Sequence, residues 1–304
     1  MAKILTSHQF QTLSTQDLLH YVPSALLPQI GVFVPNGTRR LALAMSDLNL
    51  KSIGYYNRLV QIISTLLRFN LHILFNHNLH TCLVPLISSK ILKRDEQYRK
   101  QVLQRGLELL LSSPLWLRFL EAYEVRVLFY GNIDSLSRLH EDNLKNLIYN
   151  IESSTRHHVK HTLLFGIDSS WEHLISRIAN FYHLKGHHPS ISELIEFYYG
   201  VPIATADFFI SSNHTSGLGA LPPLICDNKT QPYYLTAPSI YALTRKTYRS
   251  ILYDLYCYAN NKTETSFECI TEEKRISLKR YFQSNQSSVT GFKQVPKSFG
   301  LQLQ

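Results

Sequence analysis

Only four of the 304 residues are cysteine (Cys82, Cys226, Cys257 and Cys269), and no two of them form a Cys-x-x-Cys pair. That scarcity excludes a disulfide framework and a cysteine-based zinc site, and it fits a reducing, cytoplasmic setting. No Gly-x-x-x-x-Gly-Lys-Ser/Thr occurs, no Gly-x-Gly-x-x-Gly follows a strand pattern, and no Gly-x-Ser-x-Gly is present. A P-loop nucleotidase, a dinucleotide enzyme and a serine hydrolase built on a nucleophile elbow are therefore not expected. Lysine and arginine are scattered rather than blocked, which argues against a nucleic-acid-binding tail. The N-terminus, Met1 to His8, is too polar for a signal peptide. The longest apolar stretch, Leu59 to Phe75, is interrupted by Gln61, Arg68, Asn70 and His72, so no membrane span is expected from it.

What is present describes an ordered globular protein: 44% hydrophobic and 17% charged residues. The net charge of +9 points to an anionic partner, whether nucleic acid, a membrane surface or a phosphorylated small molecule. Strand-like runs are expected at Gly31–Pro35, His72–Phe75, Val125–Tyr130, Thr162–Ile167, Asp207–Ser211 and Tyr233–Thr236. Helical patterns lie between and after them at Tyr55–Phe69, Asp95–Leu111, Leu115–Tyr123, Glu141–Ser153, Trp171–Leu184, Ile191–Tyr199 and Ser239–Tyr258. Strands joined by helix-length connections imply an α/β fold with a mostly parallel central sheet flanked by helices. One domain is expected over residues 1–260, followed by a C-terminal helix (Glu272–Phe282) and tail over 261–304.

Parallel sheets bind ligands beyond the carboxyl ends of their strands. At that end of the first expected strand stands Val32-Phe33-Val34-Pro35-Asn36-Gly37-Thr38-Arg39-Arg40. A strand stops at Pro35, turns at Asn36-Gly37, and delivers Thr38 and two adjacent arginines to one spot. Amides at a turn and helix start, with guanidinium forks beside them, suit a multiply charged anion such as a diphosphate. The Ser/Asn/His/Gly-rich segment Ser211–Gly219 also follows a strand end and is a candidate active-site loop. Among 14 histidines, the doublets His157-His158 and His187-His188 are poor metal pairs if they lie on regular elements, where neighbours face different ways. Eighteen tyrosines are compatible with an aromatic pocket able to stabilise a carbocation.

Gly37-Thr38-Arg39-Arg40 followed by Tyr55-Tyr56 at a helix start resembles the first motif of the cis-prenyltransferase (undecaprenyl diphosphate synthase) fold. Further segments are similar, in the same order, to diterpene synthases of the tuberculosinol and kolavelool type on that fold. They are Glu124 to Gly131, Ile195 to Gly200, Ala206 to Ile210, Lys229-Thr230, Ala237 to Tyr241 and Arg249 to Asp254. The resemblance spans roughly Phe33 to Tyr258. It implies an enzyme that ionises a bicyclic diterpenyl diphosphate (kolavenyl or tuberculosinyl type) and captures the allylic cation with water, giving a diterpene alcohol. Transfer to a nucleoside such as adenosine is the alternative, and a non-catalytic prenyltransferase-like subunit is a third reading. A homodimer, a magnesium ion, and contact with neither nucleic acid nor the membrane interior complete the expectation.

Carried over residue by residue, Gly37, Thr38, Arg39 and Arg40 would hold the diphosphate, and Tyr55 or Tyr56 would face the cation. Asn36 would be a catalytic and metal-facing position, Asp207 a strand-end position, and Tyr98 the end of an Arg94-x-x-x-Tyr98 pattern. Departures are informative. Asn36 stands where the family has an aspartate that helps to hold Mg²⁺, so metal binding should be weak. Leu41 replaces an expected tryptophan. The loop Ser211–Gly217 lacks the arginines that bind a second, homoallylic diphosphate, which argues against chain elongation. Adjacent aspartates never occur, so the Asp-rich clusters of the all-helical terpene cyclases are missing as well.

Overall fold

The computed structural model describes residues 5–45, 53–139, 143–212, 221–260 and 276. Six strands, β1 (Ile30–Phe33), β2 (Thr81–Ile87), β3 (Val125–Gly131), β4 (His161–Ile167), β5 (Phe208–Ser211) and β6 (Gln231–Tyr234), form one sheet in the order β3-β4-β2-β1-β5-β6. Every neighbouring pair is parallel. The inner strands are buried on both faces, as crossover helices require. On one face, Phe75 stacks on His161 with ring centroids 4.6 Å apart, and Trp116 meets Phe165, so the Ile53–Asn76 and Pro114–Ala122 helices lie there. On the other face Tyr130 packs 4.9 Å from Tyr199, at the end of the Ile191–Tyr199 helix. Gly31 makes the β1–β5 contact possible: a Cβ there would come within 2.4 Å of the Phe208 ring.

The expected strand at His72–Phe75 is instead the last turn of the 24-residue Ile53–Asn76 helix, and the second strand lies at Thr81–Ile87, outside every expected strand. The apolar run Ile73-Leu74-Phe75 is too short for its periodicity to separate a buried strand from a buried helix end. Pro85 concealed the strand, since proline disfavours sheet interiors. It is tolerated here because β1 pairing stops at Leu83 and the register with β4 shifts between Pro85 and Ile87. Two segments expected to be single α-helices are not. Asp95–Leu111 resolves into Glu96–Tyr98, a π-helical stretch Arg99–Gln104, and Arg105–Ser112. Ser239–Tyr258 resolves into Ser239–Ala242 and Arg245–Asn260. The last strand sits slightly earlier than its expected place at Tyr233–Thr236.

Residues Met1–Tyr256 group as one compact unit. Residues 213–220 of the Ser/Gly-rich loop, the linker from 261 onward and the tail lie outside the described residues, as does the helix expected at Glu272–Phe282 apart from Ile276. The Ile53–Asn76 helix is long and apolar enough to cross a membrane by length and composition, yet half of its apolar window is buried against the sheet and neighbouring helices.

A buried polar hub ties the N-terminal segment to this core. His77 Nδ1 donates to the Ile73 carbonyl at 2.7 Å, and its Nε2 accepts from Arg249 Nε at 3.2 Å. Burial lowers the imidazole pKa to about 4 from 6.5. The unfolded chain therefore takes up this proton near pH 6.5 while the native state refuses it until about pH 4. Stability present at neutral pH is lost as the pH falls through that window, by about 3 kcal/mol in total. His77→Asn, neutral throughout, should remove that part of the pH slope in urea denaturation midpoints. An unchanged slope would show that other groups produce it.

Candidate active site

β1 ends at Phe33, and the chain turns immediately. Val34 N–H donates to Ile210 O at 2.9 Å, keeping the two strand ends together beyond the ladder. Asn36 then ties two distant segments to the turn. Its Nδ2 donates to Ser211 Oγ at 2.9 Å, its Oδ1 accepts from Ser212 N–H at 3.0 Å and from the Ser212 hydroxyl, and its own N–H donates to Ser239 Oγ at 3.0 Å. Gly37 follows with φ +79°, in the left-handed region, and a side chain there would strike Pro238 at 2.8 Å. Glycine is thus required twice over, by conformation and by space.

Gly37 starts the Thr38–Ala44 helix. The N–H groups of Thr38, Arg39 and Arg40 belong to its first turn and have no acceptor among the described residues, as helix starts dictate. Arg39 and Arg40 are exposed beside them. A helix start with free N–H groups and two exposed arginines in its first turn is a candidate cradle for an anion.

Three tyrosines stand next to this cradle. Tyr55 and Tyr56, 4% and 3% exposed, open the long helix with rings 5.6 Å apart, and Tyr98 meets Tyr56 edge-on at 6.1 Å. Burial raises the phenol pKa values of Tyr55 and Tyr98, while the charges of Arg39 and Arg94 pull both back down. Those couplings place Arg39 and Arg94 on the same aromatic cluster. Arg94 lies over the Tyr98 ring at 4.9 Å, and its Nε is buried without a hydrogen-bond partner. Asp95 caps the next helix, accepting from Tyr98 N–H at 2.8 Å, which fixes the position of both residues.

From Pro35 and Thr38, beside the cradle, an apolar cavity of about 100 Å³ runs between the long helix and the 96–112 segment. Val60 and Ile63 line one wall, Ile87 the sheet end, and Leu103 and Leu107 the opposite wall. The cavity is lined chiefly by apolar side chains and reaches the residues that begin the Thr38–Ala44 helix.

Comparison with solved structures places this architecture. Lavandulyl diphosphate synthase from Lavandula x intermedia, solved with dimethylallyl diphosphate, superposes with a TM-score of 0.56 at 11% identity, covering 77% of this chain and 97% of that one. A probable undecaprenyl diphosphate synthase from Campylobacter jejuni gives 0.52 at 16% identity, covering 76% and 95%. The fold is that of the cis-prenyltransferases. Within it, the sequence is similar to tuberculosinyl adenosine transferase of Mycobacterium tuberculosis, 28% identical over 268 residues and covering 87% of each chain. No family profile matches the chain.

On this cis-prenyltransferase fold, Gly37, Thr38, Arg39 and Arg40 come together at the carboxyl end of β1, with Tyr55 and Tyr56 adjacent. Asn36 is at the turn, but its side chain points to Ser211 and Ser212. Its amide oxygen already accepts from Ser212, and Ser239 Oγ lies 2.8 Å away. A magnesium ion bound directly by that oxygen does not fit this geometry. Asp207 lies at the opposite end of the sheet, where Oδ2 accepts from the Gln29 and Ile30 N–H groups at 2.7 and 2.9 Å and anchors the start of β1. Arg94 is the addition the structure makes. Its signal in the sequence was the Arg-x-x-x-Tyr spacing, and nothing in that spacing reveals that the guanidinium lies over the Tyr98 ring.

Proposed function

We propose that this protein ionises a bicyclic diterpenyl diphosphate and passes the allylic cation to an acceptor. The observation that carries the reading is the union, at Pro35 and Thr38, of one anion cradle with one apolar cavity. Arg39, Arg40 and the first-turn amides bind the diphosphate and gain strength as negative charge collects on the leaving oxygen. The carbon skeleton occupies the slot, and the faces of Tyr55, Tyr56 and Tyr98 stabilise the cation left behind. With water as acceptor, the new C–O bond forms as a proton is released, and diterpene alcohol and diphosphate are the products.

Adenosine as acceptor is the second reading, favoured by the name of the mycobacterial relative. One incubation separates the two: linear and bicyclic diterpenyl diphosphates with Mg²⁺, with and without adenosine, analysed by mass spectrometry of hexane and aqueous phases. A diterpene alcohol in hexane supports water, and a diterpenyl nucleoside in the aqueous phase supports transfer. Substrate returned intact under all conditions would support the non-catalytic reading instead.

Chain elongation needs a second diphosphate site, and Ser211–Gly217 carries no arginine. Radiolabelled isopentenyl diphosphate is therefore expected to remain unincorporated, and its appearance in a longer prenyl chain would replace this reading with an elongating one. Magnesium belongs to the proposal as an ion arriving with the substrate diphosphate. Asn36→Asp should then leave the Mg²⁺ concentration for half-maximal activity unchanged, because the side chain faces Ser211 and Ser212. A clear drop in that concentration would place residue 36 on the metal. A cytoplasmic homodimer completes the reading, supported by the unpaired Cys82, Cys226 and Cys257 and by exposed Trp171, Ile175 and Tyr182 on one helix.

A further inference from the structure

The histidine doublet His157-His158 lies in a turn after the Asn143–Ser154 helix, where His158 N–H donates to Thr155 O at 3.1 Å. Off a regular element, adjacent side chains no longer diverge. The two rings approach to 4.2 Å between centroids at 63°. The Glu121 carboxylate, at the end of the Pro114–Ala122 helix, completes a group whose ligand atoms all lie within 4.8 Å of one another.

The hydrogen bonding at His158 supplies an independent argument. Its Nδ1 is 2.9 Å from the Val125 carbonyl oxygen, which can only accept, so Nδ1 carries the proton. Nε2 then faces Glu121 Oε2 at 3.2 Å. In the neutral imidazole that pairs a lone pair with a carboxylate, two acceptors in opposition, on a side chain only 5% exposed. A cation seated between the nitrogen and the carboxylate would satisfy both. An imidazole held by a backbone carbonyl, with its other nitrogen directed at a carboxylate-bearing gap, is the arrangement that presents histidine to a metal.

We infer that Glu121, His157 and His158 form a site for a divalent transition metal of the zinc class, with one coordination position left to water. Two imidazoles and a carboxylate suit Zn²⁺, whose ligands stand about 2.0–2.1 Å from the ion and so roughly 3.3 Å from each other. His158 is fixed by its carbonyl bond, and the exposed Glu121 and His157 are free to close the remaining distance. The nitrogen ligands disfavour magnesium, which takes oxygen. His158 is bonded to the first residue of β3, whereas the cradle follows the last residue of β1 in the same parallel sheet. The site is thus at the amino end of the edge strand β3, the end of the sheet away from the cradle, and it fastens the Pro114–Ala122 helix to the 155–158 turn.

The test uses the full chain stripped of metal by chelation and titrated with Zn²⁺ by calorimetry and with Co²⁺ by visible absorption. Stoichiometric Zn²⁺ binding, tetrahedral-type Co²⁺ bands and a raised melting temperature are expected for the wild type, with no competition from Mg²⁺. His157→Ala, at an exposed position, should keep the native circular dichroism and weaken binding by at least about tenfold. Glu121→Gln should do the same. Equal Zn²⁺ affinity in wild type and His157→Ala, or no binding by the folded wild type, would overturn the site.

Discussion

Arg40→Ala is expected to slow turnover by about 10²–10³-fold, the effect of removing one preorganised donor from a site where charge develops. The reasoning starts from position. Arg40 lies in the first turn of the Thr38–Ala44 helix, exposed, beside amides with no acceptor among the described residues. In the proposed reaction a contact from Arg40 to the departing diphosphate would strengthen on going from ground to transition state, so kcat should fall together with kcat/KM. Arg39 is a less clean probe, because its charge also reaches Tyr55 and Tyr98. The double variant Arg39→Ala/Arg40→Ala should be slower still, with a native circular dichroism spectrum. Unchanged turnover in that variant would remove the cradle from the mechanism.

The largest effect on stability is expected at Arg249. Only 1% of this arginine is exposed. Its Nη1 donates to the carbonyls of Phe10, Gln11 and Leu13 at 3.1, 3.2 and 2.5 Å, its Nη2 to Thr15 Oγ1 at 3.1 Å, and its Nε to His77 at 3.2 Å. Arg249→Leu keeps a large aliphatic side chain but strands several buried acceptors at once. Each unsatisfied group costs about 1–3 kcal/mol, and a total of about 3–5 kcal/mol is expected in a urea melt. Arg249→Lys should recover only part, since one ammonium cannot reproduce the planar fork. A loss below about 1 kcal/mol for the leucine variant would mean that the N-terminal carbonyls find other donors.

Legibility in the sequence followed the range of each signal. β3, β4 and β5 combine β-branched and aromatic runs with clear polar boundaries, and the Ile191–Tyr199 helix carries its own start and stop in Ser190, Glu193 and Gly200. The cradle was readable because strand, turn glycine and arginines are consecutive. β2 was not, because tolerance of Pro85 depends on where a neighbouring strand stops. The Asn36 clasp joins residues 175 or more apart in sequence, to Ser211, Ser212 and Ser239. Arg94 and the histidine turn have the same difficulty: their chemistry comes from neighbours that only the fold supplies.

The π-helical stretch Arg99–Gln104 bears on the size of the cavity in a way that no single side chain does. Such a stretch is an α-helix accommodating an extra residue. Tyr98 and Leu103 both line the cavity five positions apart, and Gly106, Leu107 and Leu110 continue the same wall. Deleting one residue from 99–104 would turn everything downstream by about 100°, carrying Leu107 and Leu110 away from the slot and bringing their neighbours into it. The depth of the cavity is therefore counted in residues of backbone as much as in bulk of side chains, and an insertion or deletion there can redraw its end wall while leaving the Asn36–Arg40 turn untouched.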